Sequence, residues 1–259
     1  MSAVKTFDPA GWDLAYALSL KGTRTISVCI PCRNEAQTVG DLIRMIEPTL
    51  VGTLVDELIV LDDDSTDGTD EIAAEAGATV VPVDFVHFFH GAERGKGNAL
   101  WASLLASAGD IVVWIDGDIT SFTTDWIVRL VVPLLIDDEL GLVKANYERP
   151  SHLGGGGRTT ELVARPLLSM YFPDIADLQQ PLAGEFAGRR SMLEAIPFAT
   201  GWGVEIGMLI DMAEKFGRAL KPLSDSARTD DPEAVERLAY QYSTQAIEFQ
   251  IESYLRYQG

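Results

Sequence analysis

Along the first half of the chain, short apolar runs alternate with polar breaks and with stretches whose apolar residues recur every three or four positions. Thr25-Ile26-Ser27-Val28-Cys29-Ile30-Pro31 is rich in β-branched residues and gives way to Cys32-Arg33-Asn34-Glu35, which predicts a strand followed by an amphipathic helix from about Gln37. Glu57-Leu58-Ile59-Val60-Leu61 predicts a second strand. It runs into Asp62-Asp63-Asp64-Ser65-Thr66-Asp67-Gly68-Thr69, polar residues that end the strand and cap the next helix. Thr79-Val80-Val81-Pro82 follows, then a loop carrying Arg94-Gly95-Lys96-Gly97-Asn98, a helix rich in alanine and leucine, and the run Ile111-Val112-Val113-Trp114-Ile115. Regular alternation of strand and helix predicts an α/β fold with a mostly parallel central sheet flanked by helices, in which ligand-binding groups gather at the carboxyl ends of the strands.

The last of these runs stops at Asp116-Gly117-Asp118. Two hard oxygen ligands at the end of a buried strand suit Mg²⁺ or Mn²⁺, and a glycine between them lets a diphosphate approach the backbone. An Asp-x-Asp triplet also arises in ordinary acidic turns, so the other strand ends decide its meaning. Asn34, Glu35, Asp62, Asp63 and Lys96 all fall at or near them.

The pattern Pro-x-x-Asn-Glu, then Asp-(x)-x-Ser-x-Asp, then Asp-x-Asp, in this order, resembles the nucleotide-sugar domain of GT-A glycosyltransferases. Three later segments narrow the resemblance: Gly154-Gly155-Gly156-Gly157-Arg158-Thr159-Thr160-Glu161, Gln180-Pro181-Leu182-Ala183-Gly184-Glu185, and Gly201-Trp202-Gly203-Val204-Glu205-Ile206-Gly207. Together they are similar to the glucosyl- and mannosyl-3-phosphoglycerate synthases, over about residues 22–220. The resemblance implies a GT-A fold and a metal-dependent, retaining transfer of a hexose from a nucleotide-diphosphate sugar to the 2-hydroxyl of 3-phosphoglycerate.

It also implies roles. Asp118 is expected to bind the metal directly, with Asp116 and Gly117 near the metal or the donor ribose. Pro31, Cys32, Arg33, Asn34, Glu35, Asp63 and Lys96 are expected around the donor nucleotide, and Leu182 and Gly184 around the sugar. Gly157, Arg158, Thr159 and Thr160 offer a guanidinium fork and hydroxyls at a helix start, which suits the phosphate or carboxylate of the acceptor. Asp118, Leu182 and Glu205 are the catalytic candidates, and no carboxylate is placed as a nucleophile or catalytic base. Family members carry a His after the Gly-x-Gly-Val-Glu-Ile-Gly helix that completes the metal site, whereas Lys221-Pro222-Leu223-Ser224 leads here into a stretch without His. Members that prefer UDP-glucose tend to have Ala-Leu in place of Cys32-Arg33 and Ser in place of Asp63. A carboxylate at 63 facing the base favours guanine's N–H pair, so the expected donor order is GDP-mannose, then GDP- or UDP-glucose.

Composition limits the alternatives. A formal charge of −19 argues against nucleic acid as a partner, since its phosphates are bound by basic surfaces. Two anionic substrates then need the few well-placed cations, with Arg33, Arg94, Lys96, Lys144, Arg158 and Arg165 as candidates. Cys29 and Cys32, the two cysteines, lack the further ligands of a zinc site, and the three His (87, 90 and 152) fall in predicted loops. No charged start with an apolar h-region is visible and no apolar segment approaches the ~20 residues that cross a bilayer, so a cytoplasmic protein with reduced thiols is expected.

Residues 1–21 form an expected docking segment and 22–221 the main domain, with a donor half to about 120 and an acceptor half after it. Residues 222–259 form a helical extension from about Pro232 that packs on the domain or at the interface of a homodimer. Two other readings stand beside the first: a polyprenyl-phosphate sugar transferase, disfavoured by the lack of a membrane segment, and a non-catalytic nucleotide-sugar binding protein.

Overall fold

The computed structural model describes residues 7–88, 90, 95–146 and 159–216. Its centre is a six-stranded sheet. β1 (Ile26–Cys32), β2 (Glu57–Asp62), β3 (Thr79–Pro82) and β4 (Ile111–Trp114) run parallel, while β6 (Phe186–Arg189) pairs antiparallel with both β4 and β5 (Leu142–Lys144). The order across the sheet is β3-β2-β1-β4-β6-β5. The expected mostly parallel α/β architecture is therefore present, with β6 reversed between β4 and β5.

Both faces of the sheet are covered, which is why its strands read as continuous apolar runs rather than alternating ones. Val28, Ile30, Val60 and Val113 pack on one face against Leu42, Ile43 and Ile46 of α2 (Val39–Leu50) and Ile127 and Val131 of α6 (Asp125–Ile136). Cys29, Ile59, Leu61, Val112 and Trp114 pack on the other against α5 (Lys96–Ala106) and α9 (Val204–Phe216). Cys29 and Cys32 thus belong to opposite faces, and both thiols are free and buried. Three positions apart on a strand, they cannot share a metal or form a disulfide.

α1 (Leu14–Lys21) buries Ala17 against the α2–α6 face, with Trp12, Leu14 and Leu20 packed beside it. Two expectations need correction. Lys96 is the first residue of α5 rather than part of a loop. His87 ends α4 (Val83–His87), where it is buried near Trp101, instead of lying in a loop. Arg94, His152, Gly157, Arg158, the expected C-terminal helix and the segment that lacks the metal-site His lie outside the described residues.

Candidate active site

The carboxyl ends of β1, β2 and β4 and the amino end of β6 meet at one rim. Strand order reverses between β1 and β4, the place where α/β sheets open a ligand crevice. On the β4 side, Lys96 Nζ lies 2.8 Å from Asp116 Oδ1 and 2.8 Å from Glu205 Oε1. One ammonium therefore ties together the start of α5, the end of β4 and the first turn of α9. Burial opposes its charge, but Asp116 and then Glu205 outweigh burial and hold its pKa above the ordinary lysine range. Lys96 is a fixed cation at any physiological pH.

The glycines flanking Lys96 have a cause other than ligand approach. A Cβ at Gly97 would lie 1.7 Å from the Ala199 carbonyl oxygen, and one at Gly95 would lie 2.7 Å from that of Thr200. Gly97 N–H donates to Gly201 O at 3.3 Å and Asn98 N–H to Thr200 O at 3.2 Å. The chain's own 199–201 segment caps α5 and fills the space beside those glycines.

Asp116 and Asp118 sit differently. Beside Oδ2 of Asp116 lies Gly184, whose added Cβ would stand 1.9 Å from that oxygen, so only glycine permits this approach. Gly117 is buried, and its carbonyl accepts a hydrogen bond from Thr38 Oγ1 at 2.7 Å. A Cβ there would meet Cys32 Sγ at 2.7 Å, Glu35 Cγ at 3.3 Å and Pro31 O at 3.4 Å. Asp118 is exposed. The Glu35 carboxyl is pushed up by burial and then by the charges of Asp118, Asp67 and Asp116. A divalent cation would neutralise such a rim. Asp116 and the exposed Asp118 offer it carboxylate oxygens, the hard ligand type that Mg²⁺ and Mn²⁺ take. Among the described residues, no group of three His, Cys, Asp or Glu side chains is placed to hold a metal.

On the β1–β2 side, Arg33 Nη1 lies 3.6 Å from Asp63 Oδ2, so the carboxylate expected to face the base alone has a guanidinium partner. Asn34 takes a left-handed backbone with φ of 60°, and its Oδ1 accepts the Thr66 N–H at 2.9 Å. Its amide oxygen therefore braces the β2 loop. Asp62 was read only as a strand-end residue. Its Oδ2 accepts the Ser65 N–H at 3.3 Å, while the buried Oδ1 has no hydrogen-bond partner, which suits an acceptor for a ligand N–H or O–H. The run of three aspartates was the signal available for it.

Among the acceptor candidates, buried Thr160 opens a π-helical turn (Thr160–Ala164), and Thr159 is the half-buried residue before it. Arg165 is engaged by its own scaffold, with Nε 3.0 Å from Glu161 Oε1 and Nη2 donating to Gln179 O at 2.9 Å. Leu182 is half-buried in the turn that Ala183 N–H closes on Gln180 O. Lys144, at the end of β5, donates to the Ala183 carbonyl at 2.6 Å.

Residues 27–198 match the family model described as glycosyl transferase family 2. The chain is 46% identical to the glucosyl-3-phosphoglycerate synthase of Mycolicibacterium paratuberculosis, over 83% of this chain and 68% of that protein. The chain belongs to the glucosyl-3-phosphoglycerate synthase family. The synthase of Petrotoga mobilis is 46% identical over 74% of this chain and 62% of its own length. A crystal structure of the Mycobacterium tuberculosis synthase with Mn²⁺, UDP-glucose and phosphoglyceric acid superposes with a TM-score of 0.77 at 46% identity, covering 82% of this chain and 73% of the other. Another structure of that enzyme contains Mg²⁺ and UDP, with a TM-score of 0.75 and 46% identity over 80% and 71% of the two chains. The GT-A architecture expected from the motifs is thus the family's, and the relatives named above are glucosyl-3-phosphoglycerate synthases.

Proposed function

We propose that this chain transfers glucose from a nucleoside-diphosphate glucose, UDP-glucose first among the candidates, to the 2-hydroxyl of 3-phosphoglycerate, with Mg²⁺ or Mn²⁺ at Asp118 and Asp116. The observation that carries the reading is the junction of Lys96, Asp116 and Glu205 beside Gly184, at the switch point of a sheet that relatives of this family share. The nucleoside lies across the ends of β1 and β2, and the sugar faces the 182–184 turn. The metal supplies Lewis-acid stabilisation to the leaving diphosphate. Lys96 keeps a positive charge next to Asp116, and Asp118 stays open to solvent for coordination.

Glu205 is clamped by Lys96 and buried, so it orients the site through that ion pair rather than acting as a free base. Retention then proceeds by front-face attack, with the acceptor hydroxyl losing its proton toward the departing diphosphate, and the protein mainly positions groups and neutralises charge. The GDP-mannose preference loses its main ground, because the carboxylate of Asp63 is paired. An arginine donor beside an aspartate acceptor complements the O4 and N3–H edge of uracil as well as the O6 and N1–H edge of guanine. The Arg33–Asp63 pair does keep GDP-glucose as a second donor.

The test is a panel of UDP-glucose, GDP-glucose and GDP-mannose with 3-phosphoglycerate, read by product mass with and without Mn²⁺. Glucosyl-3-phosphoglycerate is expected, and Asp118→Ala or chelation should lower turnover by about a thousandfold, equivalent to roughly 4 kcal/mol of leaving-group stabilisation. No product from any donor would leave the nucleotide-sugar binding reading standing. Product only with a lipid-phosphate acceptor would replace 3-phosphoglycerate.

A further inference from the structure

Lys144 is a cation in an expensive place. Its side chain is half-buried at the end of a three-residue strand, where an apolar residue of similar length would fill the space without desolvating a charge. Its Nζ donates to the Ala183 carbonyl at 2.6 Å and stands 4.7 Å from the centroid of the Phe186 ring. Ala183 lies between Leu182 and Gly184, and Gly184 is the residue pressed against Asp116 Oδ2. The ammonium therefore grips the middle of the turn that walls the Asp116 side of the crevice, opposite the side where the nucleoside would lie.

We propose that Lys144 is a positioning residue for the transferred sugar: in its charged form it holds the Leu182–Gly184 turn against Asp116, so that the hexose attached to the diphosphate meets a fixed wall. The proposal rests on the donor's diphosphate binding at Asp116 and Asp118. It assigns Lys144 no contact with the nucleotide. Every charged group facing it comes from a different part of the rim: Glu205 from α9, Lys96 from α5, Glu185 from just before β6, and Asp116 from the end of β4. Burial pulls the Lys144 pKa down to about 8; Glu205, Glu185 and Asp116 act upward and Lys96 downward. The charge that holds the turn is thus poised to leave at mildly alkaline pH.

The test compares the wild-type protein with Lys144→Met and Lys144→Arg, using UDP and UDP-glucose as probes with Mn²⁺ in calorimetry, and turnover measured from pH 6 to 9.5. Lys144→Met should bind UDP as the wild type does, lose the extra affinity that glucose adds, and turn over about a hundredfold more slowly, the order of cost of a misplaced reacting group. The wild-type rate should fall above pH about 8. Lys144→Arg, which keeps its charge, should recover part of the rate and lack that alkaline fall. Equal losses of UDP and UDP-glucose affinity in Lys144→Met would make Lys144 scaffolding and overturn the proposal, as would an unchanged rate. If Lys144→Met does not fold, a wild-type rate that stays flat through pH 9.5 overturns it instead. A wild-type protein that binds neither probe defeats the underlying reading of the donor site, a result distinct from any of these.

Discussion

At Gly117 the loop after β4 crosses so close to β1 that a methyl group would stand 2.7 Å from Cys32 Sγ. Gly117→Ala should therefore displace the backbone between the two aspartates, costing about 1–3 kcal/mol of stability as overpacking does. Turnover and Mn²⁺ affinity should fall with it. The next nearest atoms, Glu35 Cγ and Pro31 O, lie at 3.3 and 3.4 Å, which small shifts can absorb. Cys32→Ala in the same chain should thus restore much of both losses. Denaturant midpoints and transfer rates of the two single variants and the double variant give the coupling, and strict additivity would show that the thiol is not the obstacle. The same contact gives Cys32 its place: a small hydrophobe under the metal loop, its thiol pushed far up by burial and by Glu35 and Asp62 beyond it, and so unreactive.

β4 carries the site because its own side chains are locked. Trp114 is fully buried against the Phe186 ring, 4.7 Å between centroids, and its Nε1–H donates to Ser103 Oγ of α5 at 2.7 Å. Ser103→Ala would leave that indole N–H without its acceptor, and should cost about 1–3 kcal/mol, seen as a lower urea midpoint at unchanged slope. The parallel strands were legible in the sequence, because burial on both faces demands apolar runs that no turn interrupts. β6 was not: Phe186-Ala187-Gly188-Arg189 has no β-branched residue, and it becomes a strand through its pairing with β4 and β5. Nor could pattern alone join Lys96 to Glu205, since the helices bearing them are far apart in sequence and meet only once the sheet is built. Lys96, expected in a loop, opens α5 instead, and the glycines beside it are shaped by residues 199–201. Asp116-Gly117-Asp118 needed no such correction in its placement, because a strand end can be read locally.

For the whole molecule, a formal charge of −19 acts against compactness, and the rim concentrates part of it around Glu35, Asp116 and Asp118. Raising NaCl from about 0.02 to 0.3 M shortens the screening length severalfold and should raise the melting temperature at neutral pH, while millimolar Mg²⁺ should do more than its ionic strength explains. Scanning calorimetry at matched ionic strength separates the two, and identical shifts from Na⁺ and Mg²⁺ would argue against a specific cation site. The reversed direction of β6 has a consequence in time as well as in space. β1, β2 and β4, with the side of the crevice proposed for the nucleoside, come from the first half of the chain, whereas Phe186, the partner of Trp114, follows only after α6 and β5. In synthesis order, a nascent chain would carry the strands proposed to hold the nucleotide before the turn proposed to wall its sugar has been made.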